Sequence, residues 1–173
     1  MITGGQRSGK SGYAERLALS LSPNPVYVAT ARVWDDEFRE RVRRHQQRRG
    51  PEWTNFEEEV HLAGLPLEGR VAVIDCVTLW LTNLFFAQTG GADGDERDVA
   101  LTLEHAKKEF DTITQSNGST LIFVSNEIGS GGVSDNALQR RFTDLQGWMN
   151  QHIAARADEV VLMVSGIAMK IKS

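Results

Sequence analysis

The sequence predicts an α/β domain built on a mostly parallel sheet. Short continuous apolar runs alternate with longer helix-like segments, and a glycine-rich phosphate-loop motif follows the first apolar residues. Met1-Ile2-Thr3 reads as a short first strand, and the runs at 26–29, 71–74, 120–124 and 160–164 supply four more. These runs are unbroken rather than alternating, as in strands covered by helices on both faces. Helical periodicity fills 11–22, 35–48, 77–88, 97–116 and 136–157. Gly90-Gly91-Ala92-Asp93-Gly94-Asp95 is a flexible loop, and Gly129-Ser130-Gly131-Gly132 is a second irregular stretch. No internal repeat or boundary divides the chain, so residues 1–173 read as one domain with a single core.

Composition excludes several classes. With 40% hydrophobic and 24% charged residues the chain is globular. A formal charge of -4 argues against general nucleic-acid binding, because the molecule repels a phosphate backbone. One cysteine, Cys76, forms neither an internal disulfide nor a zinc site by itself, which suits a reducing compartment. No stretch has the length of a membrane span, and the N-terminus has no basic-then-apolar signal pattern. A soluble, cytoplasmic protein is the expectation.

Gly4-Gly5-Gln6-Arg7-Ser8-Gly9-Lys10-Ser11 satisfies G-x-x-x-x-G-K-[ST] at every fixed position. Glycines let the backbone curl so that several N–H groups face one anion, and the following helix adds its positive dipole end. Lys10 supplies a mobile charge for the β- and γ-phosphates of GTP or ATP, and the Ser11 hydroxyl suits Mg²⁺. The plainer reading is a glycine-rich turn that only starts a helix. A phosphate-loop site also needs a carboxylate at another strand end to orient the metal, and Asp75 closes the run at 71–74. Asp75 or Thr78 as N-cap of the next helix is the competing role. Asn126 and Glu127 follow the run at 120–124 and should border the same crevice, since open α/β sheets bind ligands at the carboxyl ends of their strands.

From Arg39 to Arg49 the chain reads RERVRRHQQRR. Phe38, Val42 and His45 share one helical face, so His45 is either a satisfied core histidine on a solvated basic helix or a functional group. An arginine cluster on an acidic protein fits a specific anion such as a triphosphate. Neighbouring positive charge favours neutral imidazole, a competent nucleophile towards phosphorus, and the arginines would stabilise the displaced phosphate. His61, His105 and His152 read as structural or surface residues. Cys76 is either an activated thiol at a helix start or a small buried hydrophobe. The apolar stretch 79–86 is core, interface or a surface for a large ligand.

With these residues in view, the chain resembles the bifunctional adenosylcobinamide kinase / adenosylcobinamide-phosphate guanylyltransferase family of cobalamin biosynthesis. The resemblance runs through TGGQRSGKS at 3–11, YVAT at 27–30, the DDE…RVRRH segment ending at His45, Pro51 and Trp53. It continues in DCVTLWLTNLFF at 75–86, VSNEIGSG at 124–131, N-x-L-x-R-x-F from Asn136 to Phe142, and ADEVVLMVSGIAMKIK at 157–172. It implies a three-layer, RecA-like P-loop NTPase fold with six parallel strands and one antiparallel, assembled as a homotrimer. It implies phosphorylation of adenosylcobinamide by ATP or GTP with Mg²⁺. GMP transfer from GTP through a guanylylated histidine follows, giving adenosylcobinamide-GDP and pyrophosphate. His45 maps to that histidine, Lys10 to the catalytic lysine, and the loop 4–11 with Thr30, Glu57 and Asp75 to nucleotide binding, Ser11 and Asp75 also to the metal.

The chain departs from the family pattern at Asp75, where glutamate is frequent, and at Arg44, where some relatives carry a second histidine. Ser134 stands where proline is common, which implies a looser loop after Gly132. A kinase without guanylyltransferase activity is the alternative within enzymes. A nucleotide-switched binding protein of the GTPase kind is disfavoured because the chain has no N-K-x-D guanine-reading motif.

Overall fold

A computed structural model describes residues 1–32, 36, 40, 43, 49–115 and 118–173. Its strands are β1 (Ile2–Gly4), β2 (Val26–Ala29), β3 (Thr54–Glu57), β4 (Val71–Asp75), β5 (Thr120–Val124), β6 (Val160–Val164) and β7 (Ile167–Lys172). The helices are α1 (Lys10–Leu21), α2 (Val77–Thr89), α3 (Glu96–Thr114) and α4 (Ala137–Arg156), with 3₁₀ turns at Leu62–Gly64 and Gly129–Gly131. Asp36, Glu40 and Arg43 are helical, while most of the helix expected at 35–48, His45 included, lies outside the described residues.

One seven-stranded sheet runs β3-β2-β4-β5-β1-β6-β7. Every neighbouring pair is parallel except β6 with β7. β5 therefore lies between the strand that leads into the phosphate loop and the strand that ends in Asp75. This is the mostly parallel α/β sheet read from the sequence, with the six parallel strands and one antiparallel strand that the resemblance implies.

The unbroken apolar runs are explained by two cores. Val26, Val28, Ala72, Ile74 and Phe123 point to one face and pack with α2, α3 and α4. Their neighbours Tyr27, Val73, Ile122 and Val124 point to the other and meet Ala14 and Ala18 of α1. Successive strand residues face opposite sides, so both faces being covered requires apolar residues throughout. In α2, Trp80, Leu81, Leu84 and Phe85 are buried in the first core. Burial of each such side chain stabilises by about 1.5–3 kcal/mol. The apolar stretch at 79–86 is thus mainly core, and its buried residues offer no surface to a large ligand.

Two strands escape an apolar-run reading. β3 alternates half-buried and exposed residues, Thr54-Asn55-Phe56-Glu57. In β7, Ile167, Met169 and Ile171 are 67%, 51% and 58% exposed. Both occupy sheet edges. An edge strand needs cover on fewer sides, so its sequence carries a weaker hydrophobic signal.

The loop before α4 is tied down, contrary to the looser loop expected from Ser134. The Ser134 hydroxyl donates to Gln139 Oε1 at 2.9 Å and accepts from the Asn136 N–H at 3.1 Å. Asn136 then caps α4 by accepting from the Gln139 N–H.

Candidate active site

β1 ends at Gly4, residues 5–9 turn, and α1 begins at Lys10. Two glycines are dictated by geometry. Gly4 has φ +149°, and a Cβ there would lie 2.4 Å from the Met163 carbonyl oxygen. Gly9, the N-cap of α1, sits in the left-handed region at φ 96°. Gly4→Ala is expected to cost about 1–3 kcal/mol of strain. Denaturant unfolding checks the stability loss, and equilibrium titration with Mg²⁺·GTP should show weaker binding than wild type.

The start of α1 differs from a helix end that the chain satisfies by itself. α1 has no side-chain cap and no acidic residue in its first turn. α3, in contrast, has a full capping box, with Asp95 accepting from the Arg97 and Asp98 N–H groups and two acidic residues in its first turn. An uncapped, acid-free helix start behind a glycine turn retains its positive dipole end for an external anion. The Lys10 side chain is buried in this loop and donates to the Gly5 carbonyl at 2.6 Å. The loop is further held by the Gly166 N–H donating to the Ser8 carbonyl at 3.0 Å.

The sheet register aligns the strand ends. Glu57 pairs with Ala29, Ala29 with Asp75, Asp75 with Val124, and Ile2 with Val124. Beyond that row, the Glu127 N–H donates to the Gly4 carbonyl at 3.0 Å, so β5 extends alongside the entrance to the loop. The Asn126 N–H and Nδ2 both donate to the Thr78 hydroxyl at 3.1 Å. Asp75, Asn126 and Glu127 therefore follow adjacent strands at the same carboxyl edge, as expected. Beneath them, buried Gln146 and Asn150 of α4 join Ser125, and Asn150 Nδ2 donates to the Asn126 carbonyl at 3.0 Å.

The capping roles considered for Asp75 and Thr78 are not found. Cys76 is the N-cap residue of α2 and makes no side-chain cap. Asp75 Oδ2 instead accepts from the Tyr27 hydroxyl at 2.6 Å. Burial, followed by the charge and hydrogen bond of Asp75, pushes the Tyr27 phenol well above its ordinary pKa, so it stays a donor. Arg49 lies over the Tyr27 ring, 3.6 Å from its centroid, and its Nε donates to Asn55 Oδ1 at 2.9 Å. Its guanidinium also lies 3.9 Å from a Glu15 carboxylate oxygen. The Asp75 support thus includes Tyr27 and Arg49, neither singled out from the sequence. Tyr27 was visible only as part of a strand motif, and Arg49 as one member of the basic cluster. Arg49 is committed to this packing, and exposed Arg43 pairs with Glu40 at 2.9 Å. Arg39, Arg41, Arg44, Arg48 and His45 lie outside the described residues.

Thr30 is fully buried at the end of β2. Its hydroxyl donates to the Cys76 carbonyl at 2.7 Å and accepts from the Cys76 N–H at 2.8 Å, so it fixes the backbone just after Asp75. Glu57 is exposed at the end of the edge strand β3. Four strand spacings separate its row position from β1, about 19 Å across the sheet. A ligand meeting both must therefore lie along the sheet edge.

Cys76 is a buried hydrophobe rather than an activated thiol. Burial, then the neighbouring Asp75 charge, pushes its thiol up to about 12. Folded protein is expected to react with a maleimide orders of magnitude more slowly than protein in denaturant. Equal rates would show that the thiol is accessible.

Comparisons with known proteins agree over the whole chain. The model of the CobU family, "Cobinamide kinase / cobinamide phosphate guanyltransferase", matches residues 1–171. A bifunctional adenosylcobalamin biosynthesis protein CobU of Escherichia coli is 39% identical, covering 99% of this chain and 98% of that one. The CobU of Salmonella typhimurium is 38% identical at the same coverage. CobP of Pseudomonas aeruginosa, described as a bifunctional adenosylcobalamin biosynthesis protein, is 39% identical over 99% of this chain and 96% of its own. A solved structure of the P4 protein from bacteriophage phi6 in complex with ADP gives a TM-score of 0.44 at 15% identity, covering 96% of this chain and 50% of that one. By the extent of the family match and the identity to these relatives, the chain belongs to the cobinamide kinase / cobinamide phosphate guanyltransferase family.

Proposed function

We propose that this chain phosphorylates the aminopropanol hydroxyl of adenosylcobinamide with ATP or GTP. It then transfers GMP from GTP to that phosphate by way of His45, giving adenosylcobinamide-GDP and pyrophosphate. The observation that carries this reading is the uncapped, acid-free start of α1 behind the glycine turn, with Lys10 inside it, in a chain that matches the family model from end to end.

In the first step the substrate hydroxyl oxygen attacks the γ-phosphorus, the bond to the β-phosphate oxygen breaks to release ADP or GDP, and the hydroxyl proton passes to solvent. The loop 4–11 holds the phosphates through backbone N–H groups, and Lys10 leaves the Gly5 carbonyl to meet their charge. Ser11 lies in the first turn of α1 and Asp75 ends β4, and their hydroxyl and carboxylate are hard oxygen donors of the kind that suits Mg²⁺. Bound there, Mg²⁺ would neutralise charge developing between the β- and γ-phosphates. Tyr27 holds one Asp75 oxygen and orients the other.

In the second step an imidazole nitrogen of His45 attacks the α-phosphorus of GTP, and the α–β bridging bond breaks to release pyrophosphate. The corrinoid phosphate oxygen then attacks the same phosphorus, the P–N bond breaks, and the imidazole is restored. Thr30 supports the nucleotide site through the backbone after Asp75, and Glu57 is assigned to the guanine. Given the separation of Glu57 from the loop, either one nucleotide lies along the sheet edge or two poses are used.

Incubation with Mg²⁺ and GTP labelled at the α-phosphate is expected to leave a covalent label that is lost in acid and kept in base, as a P–N bond requires. No label under turnover would leave the kinase-only alternative standing.

The exposed apolar side chains of Val164, Ile167, Met169 and Ile171 on the β6–β7 edge support assembly into the homotrimer. The lone, buried Cys76 supports work in the reducing cytoplasm. Among the described residues no helix is long and apolar enough to cross a membrane.

A further inference from the structure

His61 and His105 are surface residues, within the structural-or-surface reading of the sequence, but the fold brings them together with Glu109. His105 and Glu109 stand one turn apart on α3, and His61 is the residue before the 3₁₀ turn Leu62–Gly64. The His61 and His105 rings are 6.5 Å apart, and His105 Nε2 is 4.0 Å from Glu109 Oε1. One ligand atom from each of the three lies within 4.8 Å of the others.

We propose that His61, His105 and Glu109 form a binding site for one divalent transition-metal ion of the Zn²⁺, Co²⁺ or Ni²⁺ class. Two imidazoles with one carboxylate match the borderline softness of these ions, whereas Mg²⁺ and Ca²⁺ take oxygen ligands. Tetrahedral ligands about 2.1 Å from a metal lie about 3.4 Å from one another, so small side-chain rotations close the set. Both histidines are exposed and free to make that adjustment, with water completing the coordination.

The supporting shell is built. Glu109 Oε2 accepts from the Ala63 N–H at 2.9 Å, which leaves its other oxygen facing the histidines. Glu58 Oε1 accepts from the Val60 and His61 N–H groups, both at 2.8 Å. The Val60 carbonyl takes the Trp80 indole N–H at 2.9 Å, and the Glu59 carbonyl takes Asn83 Nδ2 at 3.0 Å. A hydrogen bond to a ligating side chain, as Ala63 makes to Glu109, orients that ligand and raises metal affinity, while the other bonds fix the backbone that carries His61. The bound ion would staple the segment following β3 to α3. The site uses none of the residues assigned to nucleotide chemistry and does not depend on that assignment.

Tag-free protein, stripped with chelator and returned to buffer containing Mg²⁺, should be titrated with Zn²⁺ by calorimetry and with Co²⁺ by visible absorption. The expected result is one Zn²⁺ per chain and a Co²⁺ ligand-field band. His61→Ala and His105→Ala, each retaining the wild-type circular dichroism spectrum, should each weaken Zn²⁺ binding at least about tenfold. Glu109→Gln, which keeps an acceptor for Ala63, should weaken it as well. At a hundredfold excess over Kd, Zn²⁺ should raise the wild-type melting temperature by about 5–10 °C. Absence of stoichiometric Zn²⁺ binding by the wild type, or titrations of the three variants that superpose on it, would overturn the site.

Discussion

His45→Ala is expected to abolish GMP transfer while phosphorylation of adenosylcobinamide continues. Removing a covalent nucleophile leaves only positioning and electrostatic stabilisation, so guanylyl transfer should fall on the order of 10⁴-fold or more. The α-phosphate label should vanish with it. Phosphoryl transfer needs the γ-phosphate, the metal and Lys10, none of which the imidazole supplies, so the monophosphate should accumulate. Separate assays of pyrophosphate release and of corrinoid phosphorylation check both halves. Added free imidazole should restore part of the GMP transfer if the side chain acts as a nucleophile. A variant that still forms the GDP-linked product at the wild-type rate would remove His45 from the reaction.

Lys10→Ala is expected to lower the phosphoryl-transfer rate by about 10²–10³-fold, the usual loss when one aimed charge is deleted from a closed polar site. The ammonium is buried within the loop and donates to the Gly5 carbonyl at 2.6 Å, so it is stored where the phosphates are to bind. Lys10→Arg should also be impaired, because a planar fork does not replace a compact point charge in a narrow glycine turn. Stability should change by only about 1 kcal/mol, since one lost hydrogen bond is offset by no longer burying a charge. Steady-state kinetics together with denaturant unfolding separate these effects. Near-normal kcat in Lys10→Ala would contradict the phosphate-binding role of the loop.

The parts of the fold that could be read from sequence were those fixed by local rules. Unbroken apolar runs marked β2, β4, β5 and β6 because both sheet faces are covered, and the boundaries of α1, α2 and α4 fell within a residue or two of their periodic segments. β3 and β7 lacked that pattern because edge positions do not enforce it. In the site, the loop 4–11 and Asp75 announced themselves by motif and strand-end position. The support beneath them did not. That Tyr27 reaches Asp75, that Arg49 stacks on Tyr27, and that Asn150 holds the Asn126 backbone are consequences of packing between distant segments. The His61–His105–Glu109 cluster was missed for the same reason, since only the docking of the 3₁₀ turn on α3 brings its members together.

A structure of the protein bound to Mg²⁺ and a non-hydrolysable GTP analogue tests most directly whether a triphosphate occupies the glycine turn. The expected result is Lys10 Nζ moved from the Gly5 carbonyl onto the β- and γ-phosphates, with His45 facing the α-phosphorus. A turn left vacant at saturating analogue, with Lys10 still bonded to Gly5 and the nucleotide seated elsewhere, would contradict it.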